Sequence, residues 1–167
     1  MKELTVYFDY ICPYCYRGVM DLMDLLPQFP DISVIWVPCE AHPRPERMSI
    51  YSDTASQAML SVQAQGGDVM KFHKLVFEAY FTNHQRIDDP VLLTRLSGQC
   101  GVNRAKVLVD LSDNRYAKEI LANNELVWGE KAFFAVPDYE AADASLNSIE
   151  DVMISKEELK KFLERIA

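Results

Sequence analysis

Apolar positions along this chain change spacing several times, and each change marks an element. Leu4 to Phe8 is a short β-branched and aromatic run bounded by charge, which predicts a strand buried on both faces. Beyond Cys15 the apolar residues Val19, Leu22, Met23 and Leu26 follow i, i+3, i+4, i+7, the stripe of an amphipathic helix. Pro13 suits its first turn, where a missing N–H costs nothing, and Pro27 and Pro30 end it. Ile32 to Val37 predicts a second strand, closed by Pro38. Strand, helix, strand in this order implies a βαβ unit with parallel pairing.

Pro38, Pro43 and Pro45 predict a loop to about Asp53, after which helical spacing dominates. One helix is expected from about Thr54 to Gln65, ending at Gly66-Gly67, and a second through Val69, Phe72, Leu75, Val76, Ala79 and Tyr80. Asp89-Pro90 reads as the cap and first turn of a third, stopping at Gly101; Asn103 caps a fourth, and Asp113 a fifth running to Gly129. Strand character then returns at Ala132–Val136, before Pro137. Two weaker strands are expected at about Tyr139–Leu146 and Glu150–Ile154, with Asn147-Ser148 as their turn. Ser155 and Glu158 form a capping box that opens a last helix through Leu159, Phe162, Leu163 and Ile166.

Composition narrows the class. The 167 residues fit one domain, and 49% hydrophobic with 25% charged residues is globular. A net charge of −8 repels phosphate backbones, so nucleic acid is not an expected partner. There is no apolar run of membrane-spanning length and no secretory pattern at the N-terminus, so no membrane partner is expected and the simplest compartment is the cytoplasm.

The chemistry lies in cysteine spacing. Cys12 and Cys15 form a C-x-x-C between the first strand and first helix, the context of a redox pair. One helical turn brings both sulfurs to the same end, and the N-terminal dipole with its unpaired N–H groups favours a thiolate at the first cysteine. A thiol of pKa ~8.5 is about 3% ionised at pH 7, whereas pKa ~6 makes it about 90% thiolate. Such a thiolate is also a good leaving group, which makes the disulfide oxidising. Cys12 is then the nucleophile and Cys15 the resolving thiol. A zinc site lacks a second ligand pair, because Cys39, Cys100, His42, His73 and His84 show no matching spacing; no metal is expected.

The run Val6-Tyr-Phe-Asp-Tyr-Ile-Cys-Pro-Tyr-Cys-Tyr-Arg-Gly18 resembles the opening of the DsbA family of thioredoxin-fold oxidoreductases, within it the cytosolic FrnE-like branch. Val37-Pro-Cys-Glu-Ala-His-Pro43, Phe72–Phe81 with Arg86–Pro90, and Ala135-Val136-Pro137 are similar to later family motifs in the same order. The resemblance implies an α/β thioredoxin-like fold, β-α-β … β-β-α, with a helical insertion between its halves. The core would take about 1–50 and 130–167, and the insertion about 51–129. It further implies that Pro13 and Tyr14 tune the potential. Pro137 becomes a cis-proline facing the cysteines, and Val136 the residue whose backbone pairs with an extended substrate. Protein or peptide thiols and disulfides are the implied partners. No cofactor is implied, with glutathione a candidate co-substrate. Two departures stand out: Ala135 replaces a glycine, and Asp138-Tyr-Glu-Ala-Ala-Asp143 replaces a hydrophobic strand.

A glutathione-dependent isomerase or transferase of the hydroxychromene-carboxylate isomerase or kappa-class type shares the fold but resembles Ser-Pro-x-Ser, so the cysteine pair argues against it. A non-catalytic binding module is the third reading. Asp9 and Glu40 are candidates for proton transfer at Cys15, with a solvated carboxylate as the alternative for each. Cys39 and Cys100 are expected to behave as small buried hydrophobes, and His73 to pack within the helical segment.

Overall fold

The computed structural model describes residues 1–167. Strand β1 (Lys2–Phe8) pairs in parallel with β2 (Ile32–Pro38), and helix α1 (Pro13–Leu25) with a short 3₁₀ turn (Leu26–Gln28) crosses between them. Five helices follow: α2 (Asp53–Ala64), α3 (Val69–Phe77), α4 (Pro90–Ser97), α5 (Arg104–Ser112) and α6 (Ala117–Asn124). Both α3 and α6 run on into π-helical turns, Glu78–Thr82 and Glu125–Glu130. The chain then returns through β3 (Asp138–Ala141), β4 (Ala144–Leu146) and α7 (Lys156–Ile166). Strand order is β2-β1-β3-β4, with β3 antiparallel to both β1 and β4. This is the thioredoxin-like arrangement, with the intervening helices between β2 and β3. No helix is long and apolar enough to cross a membrane.

Side-chain alternation along the strands separates two faces. Val6 sits in register with Trp36 on one side and Tyr139 on the other. Phe8, on the same face, meets Trp36, His73 and Phe77 edge-on or tilted, with ring centroids 4.9–6.5 Å apart. Tyr7 points the other way, against Phe133 at 5.1 Å. The buried apolar residues of sheet and helices form one continuous core.

The elements mostly start where their caps stand: Cys12 at α1, Asp68 at α3, Asp89 at α4, Asn103 at α5 and the Ser155–Glu158 box at α7 each accept a helix N–H. Four expectations need correction. The third helix ends at Ser97, with Gly98 as its cap, rather than at Gly101. Asp113 closes α5 instead of opening the next helix; Asn114 follows at φ 50°, and α6 begins only at Ala117. Ala132–Val136 forms no strand, because Lys131 N–H and Phe133 N–H bond back to Leu126 and Val127 and keep this stretch wound onto the π turn. Finally, the hairpin turns at Ala142-Asp143, within the first of the two expected strands. Asn147 and Ser148 are drawn to Asp138 instead, and 150–154 contributes only Val152 to a single bridge with Ile149.

Candidate active site

Cys12 occupies the N-cap of α1 in extended conformation (φ −89°, ψ 119°), and its sulfur accepts Cys15 N–H at 3.3 Å. The cap position thus places a sulfur where an Asp or Ser oxygen usually sits, at the positive end of the helix. Cys12 is half-buried and Cys15 fully buried, and both are free thiols. Hydrogen bonding from the Cys15 thiol, followed by Cys15 N–H, holds the Cys12 thiol below its ordinary pKa against the opposing effect of burial. Burial pushes Cys15 well up, and its bond to Cys12 adds to this. One thiol is therefore poised to ionise while its neighbour keeps its proton.

Pro13 forms the exposed first turn and Tyr14 is partly exposed beside it. Tyr16, one residue beyond Cys15, stacks on Phe81 (5.1 Å, 6°) and Phe77 (5.3 Å, 20°), tying α1 to the end of α3 and its π turn. Across the site, Val136 and Pro137 are buried, and the peptide between them is cis. The Val136 carbonyl lies 3.6 Å from Cys12 Sγ as acceptor for its thiol. The opposed segment comes this close because residue 18 is glycine: a Cβ there would lie 2.5 Å from Tyr139 Oη and 3.0 Å from Pro137 Cγ.

Neither candidate carboxylate is solvated. Asp9 is wholly buried, its oxygens accepting Ile11 N–H (3.1 Å) and Ala41 N–H (2.8 Å), and burial raises its pKa. Its bond to Cys15 runs through the main chain, Asp9 N–H to Cys15 Sγ at 3.4 Å. Glu40 is buried too; Asn124 Nδ2 donates to Oε1 at 3.1 Å, Oε2 has no partner, and burial raises the pKa. Cys39 and Cys100 are buried and unpaired, as small hydrophobes. His73 packs in the core, with Nδ1 2.7 Å from Tyr10 Oη, and burial drives its pKa down to about 3. His42 pairs with Glu46 at the surface. No group of three or more His, Cys, Asp or Glu side chains gathers as a metal ion would need.

Sequence reading missed three participants: Tyr16, Gly18 and Ser148. Gly18 stood inside the quoted motif, but only the fold shows what it faces. Asp138 was visible as an oddity, a charge where an apolar strand belongs. It is completely buried, accepting Ser148 N–H and Asn147 Nδ2, and burial pushes its pKa up to about 6.

Known proteins resemble this chain over nearly its whole length. A probable DsbA oxidoreductase from Streptomyces coelicolor superposes with a TM-score of 0.81 at 14% identity, over 99% of this chain and 90% of its own. The cytosolic disulfide reductase DsbM from Pseudomonas aeruginosa, solved with GSH, gives 0.76 at 14% identity over 98% of each chain. Protein YwbO of Bacillus subtilis is 23% identical, over 95% of this chain and 98% of that one. At these identities the solved structures establish the fold. The model of the DSBA-like thioredoxin domain matches residues 3–133, most of the chain, and with it the protein belongs to the DSBA-like thioredoxin domain family.

Proposed function

We propose that the protein is a thiol–disulfide oxidoreductase working through Cys12 and Cys15 on protein or small-molecule disulfides. The observation that carries this reading is the asymmetry of the pair: Cys12 is partly accessible at a helix N-cap with its pKa lowered, and Cys15 is fully buried with its pKa raised. In the reductive direction the Cys12 thiolate attacks a substrate disulfide, forming a Cys12–substrate disulfide and releasing one substrate thiolate. Cys15 then loses its proton and attacks Cys12 Sγ. The second substrate thiolate leaves and takes up a proton, and the cysteine pair is left as a disulfide. Oxidation of a client dithiol runs through the same steps in reverse.

Pro13 and Tyr14 flank the sulfur and tune its potential, and the Val136 backbone beside Pro137 pairs with an extended client segment by strand addition. Glutathione is the proposed co-substrate, consistent with a likeness to a cytosolic disulfide reductase solved with GSH. Placement in the cytoplasm and on the FrnE-like branch rests on the sequence motifs.

Trapping tests the reading. Cys15→Ser removes the resolving thiol, so oxidised glutathione should leave a stable glutathione adduct on Cys12, visible by peptide mass. The wild type should pass through that adduct to the internal disulfide. A variant that takes up no glutathione at Cys12, or takes it up equally at Cys39 and Cys100, would contradict the assignment.

A further inference from the structure

Three consecutive residues opposite the cysteines each have an acceptor fixed in place. The Val136 carbonyl faces Cys12 Sγ at 3.6 Å. The Pro137 carbonyl accepts the Ser148 hydroxyl. The Asp138 carboxylate accepts Ser148 N–H through Oδ1 and Asn147 Nδ2, at 3.3 Å, through Oδ2. Ser148 thus spends both its donors on neighbouring residues, and Asp138 and Ser148 are 0% and 4% exposed. Pro137 has no N–H, and the ladder between β1 and β3 begins only at the Tyr7–Asp138 pair. Nothing in that ladder restrains the chain on the Val136 side. The hydrogen bonds on the two residues that follow Val136 come instead from the 147–148 segment, while Pro137 packs against Gly18 of α1.

Burying a carboxylate costs stability, and here the bonds from Ser148 and Asn147 offset only part of that cost, since burial still raises its pKa. A neutral side chain would fill the position with less penalty. Among the groups around Asp138 are Tyr7, Tyr139, Glu140 and Cys39, none of them cationic; Lys131 pairs with Glu140. The carboxylate therefore has no ion pair, and its partners are the two donors of the 147–148 segment.

We infer that Asp138 and Ser148 form a positioning clamp that holds the Val136 carbonyl against Cys12, setting both the reactivity of that thiol and the hold on an extended substrate segment. The inference rests on the exchange chemistry proposed above. A carbonyl that accepts from the Cys12 thiol favours the protonated sulfur, so moving it away lowers the Cys12 pKa. The same movement spoils the edge to which a peptide would add. The clamp thus opposes the helix N-terminus at one sulfur while it prepares the binding edge beside it.

The test uses reduced full-length protein in single turnover. Two substrates are compared: an extended peptide carrying a mixed disulfide with glutathione, and hydroxyethyl disulfide, which has no backbone to pair with Val136. Ser148→Ala changes no charge, and should raise the half-saturating peptide concentration about five-fold, the scale of one lost hydrogen bond with an acceptor left unpaired. It should also lower the midpoint of the Cys12 alkylation pH profile, and leave saturation by hydroxyethyl disulfide unchanged. Ser148→Thr and Asp138→Asn keep an acceptor or donor in place and should restore most of the peptide affinity, whereas Asp138→Ala should not. If Asp138→Ala fails to fold, the Ser148 pair carries the test. Wild-type peptide saturation and alkylation profile in a folded Ser148→Ala would overturn the clamp, as would equal losses with both substrates. Wild-type protein that exchanges with neither substrate would instead overturn the functional reading.

Discussion

The two walls of the active site are built differently. On the cysteine side, the bonds that the two sulfurs accept join near neighbours, Cys15 N–H to Cys12 Sγ and Asp9 N–H to Cys15 Sγ. Ile11 N–H bonds the Asp9 carboxylate, and a long-range bond to that carboxylate comes from Ala41 N–H. On the proline side, the shaping bonds reach ten or eleven residues ahead, from Ser148 back to Asp138 and Pro137. The first wall is a helix cap, and its form follows from local backbone rules. The second depends on a buried carboxylate finding its donors in a stretch with almost no regular structure. A site of this kind takes its nucleophile from local geometry and its alignment from distant contacts.

The largest expected effect falls on the local wall. Cys12→Ser should abolish disulfide exchange outright, since a serine hydroxyl stays protonated at neutral pH and forms no disulfide. Full loss of peptide disulfide reduction with an unchanged circular dichroism spectrum is the outcome to look for. Gly18→Ala should come next, because the new methyl would overlap Tyr139 Oη and crowd Pro137. A loss of about 1–3 kcal/mol in urea denaturation is expected, as for other overpacked sites. Slower exchange should accompany it, as Pro137 is pushed away from α1.

These positions also show where sequence reading held and where it failed. The βαβ opening, the caps at Asp89, Asn103 and Ser155, and the C-x-x-C at a helix start were legible because each is a local pattern with its own physical signature. Ala132–Val136 read as a strand from its apolar run, yet two backbone bonds to Leu126 and Val127 claim its start. Asn147-Ser148 read as a turn from residue preference, but those same polar groups satisfy Asp138. Asp9 and Glu40 were left open between solvent and proton transfer. Burial decides against solvent in both cases, and burial depends on what the distant helices cover.

A pH-dependent effect separates Asp138 of the proline wall from His73 of the core. His73 is pushed down to about 3 in the folded state, so its contribution is full above the unfolded value near 6.5 and lost as pH falls below it. Asp138 is pushed up to about 6, so folding favours its protonated form, and that contribution is lost as pH rises through about 6. The two slopes oppose each other between about pH 4 and 6. Removing the titration with Asp138→Asn should make the variant gain stability relative to wild type across that range, by up to about 1.4 kcal/mol per pH unit. Urea midpoints at half-unit pH steps would read it; a constant difference would contradict the assignment.

The smallest expected change is at Tyr139, whose buried hydroxyl has no partner. Tyr139→Phe removes an unsatisfied donor without changing the ring, and should be neutral or stabilising by up to about 1 kcal/mol in thermal unfolding. A clear loss of stability would mean that this hydroxyl is bonded after all.

The central claim is that Cys12 and Cys15 act as one redox couple, and a glutathione redox titration of the purified protein tests it most directly. Each cysteine would be read by alkylation and peptide mass. The account predicts a single reversible two-electron transition in which Cys12 and Cys15 change together, with a potential between about −120 and −270 mV, while Cys39 and Cys100 stay reduced. Independent titration of Cys12 and Cys15, or no reversible transition at either, would contradict it.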